Sequence, residues 1–211
     1  MKILINLVGL SHNNLGNGMH SYTHGYSHLF DNVVNELSKN NQVDFYLKTY
    51  NTDENKNLLK VYNPIEYDFI ELPDNNKNSV DNAFDTYISS VEKLRNFNYD
   101  FFIVSRYDLV IKKKLNIDFS KFNFLFKEKL WWDNHQCTTD TFYGFPKSML
   151  EGFISACKDT RNKKGQSGYI GLFHALHKEL VNYINQDNYH FIDTELTTIQ
   201  ESKKYTLGRY L

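Results

Sequence analysis

The sequence predicts an α/β fold with a mostly parallel central sheet flanked by helices, and three observations carry that expectation. Two apolar runs, residues 2–8 (KILINLV) and 101–104 (FFIV), are unbroken rather than alternating, as in strands buried on both faces. Stretches with helical spacing of apolar residues lie between and after these runs. The length, 211 residues, suffices for one domain with a sizeable core and is too short for two full α/β halves. The chain is read as one domain, 1–211, without internal repeats.

Residues 2–8 form the first parallel strand, ending at Gly9. A polar loop rich in Gly, Asn, Ser and His follows, over 9–25. Its Gly16-Asn17-Gly18 suggests a dinucleotide turn, but Ser21 stands where the third glycine belongs, so a loop that wraps a nucleobase and ribose fits better. His12, His20, His24 and His28 share the loop; were 20–28 helical, the last three would align on one face as metal ligands can. Gly25 and the lack of a nearby acid favour histidines that pack the loop or face solvent.

Leu29, Phe30, Val33, Val34 and Leu37 have the spacing of a crossover helix that stops near Asn40-Asn41. Residues 43–50 (VDFYLKTY) make the next strand, whose Tyr50 faces the same edge as Gly9 and offers a ring for stacking on a base. A short helix over 58–62, a strand over 67–72 and a turn at 73–76 come next. Ala83, Tyr87, Ile88, Val91, Leu94 and Phe97 then line one face of an amphipathic helix. Lys93 and Arg95 on it reach toward a diphosphate or are ordinary surface charges.

That helix leads into residues 99–111, YDFFIVSRYDLVI, where the buried run is cut off by Ser105, Arg106 and Asp108. In an open α/β sheet, ligands lie outside the carboxyl ends of the strands, so these polar residues sit where a polar substrate is expected. On an extended strand Arg106 and Asp108 share a face. Arg106 offers a planar fork suited to phosphate oxygens, and Asp108 offers a carboxylate to a hard divalent cation. The same two residues are equally read as an exposed ion pair.

A buried strand ending in Arg-x-Asp-Leu, followed by Asp140-Thr-Phe-Tyr-Gly-Phe and a helix, resembles the GT-A-type glycosyltransferases of bacterial surface-polysaccharide loci and large DNA viruses. The resemblance implies a GT-A-like, Rossmann-related domain that moves a sugar from a nucleotide-sugar donor to a glycan hydroxyl. It implies a nucleotide-binding part over about 1–111, carrying Gly9, Tyr50, Arg106 and Asp108, and an acceptor-side part over about 112–211. In that family the strand-end motif is usually Asp-x-Asp and holds a metal against the diphosphate. Here Arg106 replaces the first Asp, which leaves Asp108 as the implied ligand of Mn2+ or Mg2+, with a late His190 or Asp193 completing the shell. A viral source would place the protein in host cytoplasm.

Lys112-Lys113-Lys114 is a solvated turn, and residues 122–126 and 130–132 supply one or two more strands. Trp131 and Trp132 are core or a platform for a sugar ring; Trp132 and the following Asp133 are the candidate acceptor contacts. Asp140 lies at the mouth of a strand, and transfer with inversion needs a carboxylate to take the acceptor proton, so Asp140 is the candidate base or else caps a turn. Gly144 permits close approach, and 147–157 is a helix with Met149, Leu150, Phe153, Ile154 and Cys157 on one face. The basic loop 159–168 closes over a donor phosphate through Arg161, Lys163 or Lys164, or is a linker. Residues 169–184 form a helix with structural His174 and His177, 189–192 a closing strand, and 201–211 a tail that folds over the donor or frays.

Composition narrows the partners. With 24 Lys plus Arg against 25 Asp plus Glu, the net charge of -1 gives no global attraction to nucleic acid or anionic membrane. Cys137 and Cys157 match neither a Cys-x-x-Cys pair nor zinc spacing, which suits a reduced, cytoplasmic setting. No stretch approaches the roughly 18 to 20 apolar residues of a membrane span. Two other functions fit the pattern: a non-catalytic glycan-binding module that uses the aromatic loops, and a nucleotide-processing α/β enzyme that is not a transferase.

Overall fold

The computed structural model describes residues 1–14, 19–71, 79–129, 136–169 and 171–208. Seven strands form the main sheet: β1 (Lys2–Val8), β2 (Gln42–Tyr50), β3 (Glu66–Ile70), β4 (Phe101–Ser105), β5 (Phe122–Phe124), β6 (Phe142–Pro146) and β7 (Tyr189–Phe191). Their spatial order is β3-β2-β1-β4-β6-β5-β7. Neighbours are parallel except at β6, which runs against both β4 and β5. The chain builds outward from β1 to β3, then crosses back to place β4 on the other side of β1. The order reverses there, and the crevice between two such strands is where open α/β sheets bind ligands.

Among the described residues the longer helices that cover the sheet are α1 (Tyr22–Leu29), α2 (Asn55–Tyr62), α3 (Ser79–Lys93), α4 (Leu150–Asn162) and α5 (Leu172–Leu180). Strand side chains alternate between faces, so the unbroken apolar runs feed two cores. Ile3, Ile5, Leu7, Phe45, Leu47 and Ile103 pack with Leu29, Val33, Leu58 and Tyr62 on the α1–α2 side. Leu4, Tyr46, Phe102, Val104, Phe122 and Phe145 pack with Val91, Phe153, Cys157 and Leu176 on the side of α3, α4 and α5. Coverage of both faces by helices is what the apolar runs require, and the expected α/β class with a mostly parallel sheet is observed.

Three departures from the sequence expectations have local causes. The first helix starts at Tyr22 rather than near Leu29, because Ser21 caps it by accepting from the Thr23 amide at 3.3 Å. It continues past Leu29 through a wide turn, Phe30–Val34, to Leu37. The last helix spans only Leu172–Leu180, since Gly168 has φ +81 and Gly171 is extended. The Arg-x-Asp segment is not strand: β4 stops at Ser105 and the chain turns over 107–108. Beyond the turn, Leu109–Ile111 pairs antiparallel with Tyr205–Leu207, so the tail is docked rather than frayed. No helix among the described residues is long and apolar enough to cross a membrane.

Gly25 shows how tightly α1 sits against this turn. A Cβ there would lie 2.6 Å from the carbonyl oxygens of both Tyr107 and Leu109. An exposed helix gains stability from Gly→Ala, by roughly 0.5–1 kcal/mol. Gly25→Ala should instead lose about 2–3 kcal/mol, as overpacking against backbone does; urea unfolding of the variant beside the parent reads the sign directly.

Candidate functional site

The parallel strands deliver their carboxyl ends to one edge, and the antiparallel β6 brings its first residues to the same edge. Phe142 pairs with Ser105, and the Arg106 amide and the Ser105 hydroxyl both donate to the Thr141 carbonyl oxygen at 3.4 Å. Asp140 therefore enters beside the Arg-x-Asp turn. Gly9, at the end of β1, has φ +110 and donates to the Lys48 carbonyl at 3.1 Å. A Cβ on Gly9 would meet nothing within 4 Å among the described residues. Tyr50 is at the expected edge, but its ring is only 7 % exposed and its hydroxyl lies 3.4 Å from that of Thr86. Stacking on a base would require that ring to turn outward.

Arg106 and Asp108 are brought together by the turn rather than by a shared strand face. The guanidinium grips the carboxylate with two bonds, Nε to Oδ1 at 2.8 Å and Nη2 to Oδ2 at 3.0 Å. Asp108 is 1 % exposed, while about a third of the Arg106 side chain reaches solvent. The Gly208 amide of the docked tail donates to the Asp108 carbonyl at 2.7 Å. Both Asp108 oxygens accept from the Arg106 guanidinium, so this carboxylate steadies Arg106 at the edge. His190 Nε2 donates to the Asn116 carbonyl at 2.9 Å, so that nitrogen carries a proton and offers no lone pair. Trp132 and Asp133 lie outside the described residues.

A second cluster brings two carboxylates and an imidazole together. Glu128, Asp140 and His174 bring one ligand atom each to within 4.8 Å of one another. His174 Nδ1 is 3.9 Å from Glu128 Oε2 and 3.9 Å from Asp140 Oδ2. Lys127–Lys129 pairs with Gln136–Thr138 on one side and with Leu196–Thr197 on the other, which fixes Glu128 between Cys137 and Thr197. Asp140 comes from the approach to β6 and His174 from the first turn of α5. Glu128 is 4 % exposed, and its Oε2 has no hydrogen-bond partner among the described residues. Burial, and then the neighbouring Asp140 carboxylate, push its carboxyl up to about 8, against a backbone hydrogen bond from Ile199 that favours the charged form.

Of this cluster only Asp140 is predicted as a site residue from the sequence. His174 falls on the helix stripe and reads as structural. Glu128 has one signal, a charged residue between two lysines on a short strand, which period-two alternation turns to the opposite face. Lys127 is indeed exposed and Glu128 buried.

The expected basic loop 159–168 is helical through Asn162, so Arg161 sits in the last turn of α4, and the cations of this stretch are committed elsewhere. Arg161 grips Asp85 with bonds of 2.7 and 3.0 Å, Lys163 pairs with buried Glu179 at 2.8 Å, and Lys164 bonds Asp81. Lys93 and Arg95 likewise pair with Glu66 and Glu151. Beyond the Lys127–Lys129 strand, a pocket of about 320 Å³ is lined by Lys127, Thr138, His177, Gln186, Tyr189 and Phe191. The Lys127 ammonium lies 5.3 Å from the centre of the Phe191 ring. No family model matches the chain, and no curated protein matches it.

Asp193, at the end of β7, is the hub that holds the tail against this edge. Its carboxylate meets Lys113 at 2.9 Å and Lys204 at 2.8 Å, and its Oδ1 accepts from the Glu195 amide at 3.2 Å. Burial works to raise its carboxyl, but Lys204 and Lys113 outweigh burial and hold it down to about 2. A depressed carboxyl contributes stability that is complete above the unfolded value and lost as pH falls through the folded one. Asp193→Asn should thus cost about 2 kcal/mol at pH 6, and the gap between variant and parent in urea unfolding should shrink on acidification from pH 4 toward 2.

Proposed function

We propose that the protein is a glycosyltransferase that moves a sugar from a nucleotide-sugar donor to a hydroxyl of a glycan acceptor. The observation that carries this reading is that Gly9, the part-exposed Arg106 and the lead into β6 that bears Asp140 all lie at the carboxyl-end edge of the sheet. Gly9 leaves room for the nucleotide beside β1. Arg106, steadied by Asp108, presents donors suited to the diphosphate or ribose. Asp140, adjoining the Thr141 carbonyl that receives the Arg106 amide, takes the proton from the attacking hydroxyl. Asp108 is here a positioning residue, since it acts through Arg106. A divalent cation, Mn2+ or Mg2+, would supply positive charge for the departing diphosphate.

The aromatic-lined pocket beside Lys127 supports a saccharide on the acceptor side, with Tyr189 and Phe191 at its wall. The same pocket would serve a glycan-binding module without catalysis. The two readings part on nucleotide affinity. Uridine and guanosine diphosphates, titrated calorimetrically with Mn2+ present, should bind the transferase, whereas a glycan-binding module would bind saccharide alone. With the donor that binds, release of nucleoside diphosphate should depend on added glycan. Asp140→Asn should lower that release by about 10²–10⁴-fold, with circular dichroism and melting temperature close to the parent. Undiminished transfer by this variant would remove the base role.

A further inference from the structure

We infer that Glu128, Asp140 and His174 form a divalent-cation site of their own, separate from the Arg106–Asp108 pair. Three donors held about 2.1 Å from one ion stand roughly 3–4 Å apart. The two His174 separations, 3.9 Å each, lie in that range, and the third pair is within 4.8 Å, so a small inward movement closes the set. The elements that carry the donors are fixed independently: a paired strand, the lead into β6 and a helix.

The buried Glu128 oxygen is the observation that turns a cluster into a site. A carboxyl oxygen that is removed from water and has no hydrogen-bond partner among the described residues is costly to the fold, more so when charged. It faces a second carboxylate and an imidazole, and a bound cation relieves the penalty by neutralising both acids at once.

Two oxygens and one imidazole nitrogen select among cations. Mg2+ prefers an all-oxygen octahedral shell and dehydrates reluctantly, while Mn2+ and Zn2+ accept imidazole readily. Mn2+ should therefore bind more tightly than Mg2+. The cation's place in sugar transfer rests on the transferase reading; the binding site itself does not.

Mn2+ titration of the whole protein, followed by loss of the free-ion electron paramagnetic resonance signal, tests the site without donor or acceptor. The parent should bind one Mn2+ saturably, and Glu128→Gln and His174→Ala should each weaken binding at least tenfold. His190→Ala should leave it unchanged. At ten times its Kd, Mn2+ should raise the parent's melting temperature by roughly 3–5 °C. Glu128→Gln, nearly isosteric, should melt at or above the cation-free parent and show no such rise. Absence of saturable binding, or binding by Glu128→Gln as tight as the parent's, overturns the site. A chain that binds Mn2+ through these residues yet transfers no sugar retains the site and loses the transferase reading.

Discussion

The constraint on which the rest of the structure depends is the parallel pairing of β1 with a strand on each side. Ile3 to Leu7 stand opposite Phe101 to Ser105, and Lys2 to Val8 stand opposite Gln42 to Lys48. Both cores hang on this register, because a slip of one residue would turn every β1 side chain to the opposite face. The register also places Gly9 across from the Arg-x-Asp turn. Since β6 is locked to β4 from Phe142 to Pro146, Asp140 and Thr141 arrive at the same edge without any loop having to find it. Functional groups mounted on strand ends in this way are held more rigidly than groups on free loops.

Against that ordered scaffold, two acidic residues show opposite solutions to burial. Asp108 is covered and has a guanidinium gripping both oxygens, the arrangement in which a buried charge is tolerated. Glu128 is almost as deeply covered, yet the charge beside it is another carboxylate. Evolution could have relieved this with a neutral or apolar residue in the middle of a short, doubly paired strand. Glu128 thus departs from the rule that a buried acid is paired with a cation.

Much of the fold was legible in the sequence because its signals are local. Unbroken apolar runs announced β1 and β4, and the three-and-four spacing from Ala83 to Phe97 announced α3. The start of α1 was hidden because Gly25 breaks the apolar period, and its reason for being there is the distant carbonyls of Tyr107 and Leu109. Of the site, Arg106, Asp108 and Asp140 could be picked out as polar residues at strand ends, but not who pairs with whom. That Asp108 would be gripped by Arg106, and that His174 would approach Asp140 from another element, are consequences of packing between segments far apart in the chain. The basic stretch at the end of α4 illustrates the same gap: its lysines and arginine look available until the acids on α3 and α5 come into view.

The docked tail has a consequence for how the protein tolerates damage. Tyr205–Leu207 supplies the hydrogen-bonding partner for Leu109–Ile111, a fully buried stretch rich in β-branched residues. A chain clipped or stalled before residue 205 would leave that stretch as an unpaired apolar edge, the kind that recruits strands from other molecules. The 205–207 strand is thus a shield against self-association as well as a partner for the buried stretch it covers.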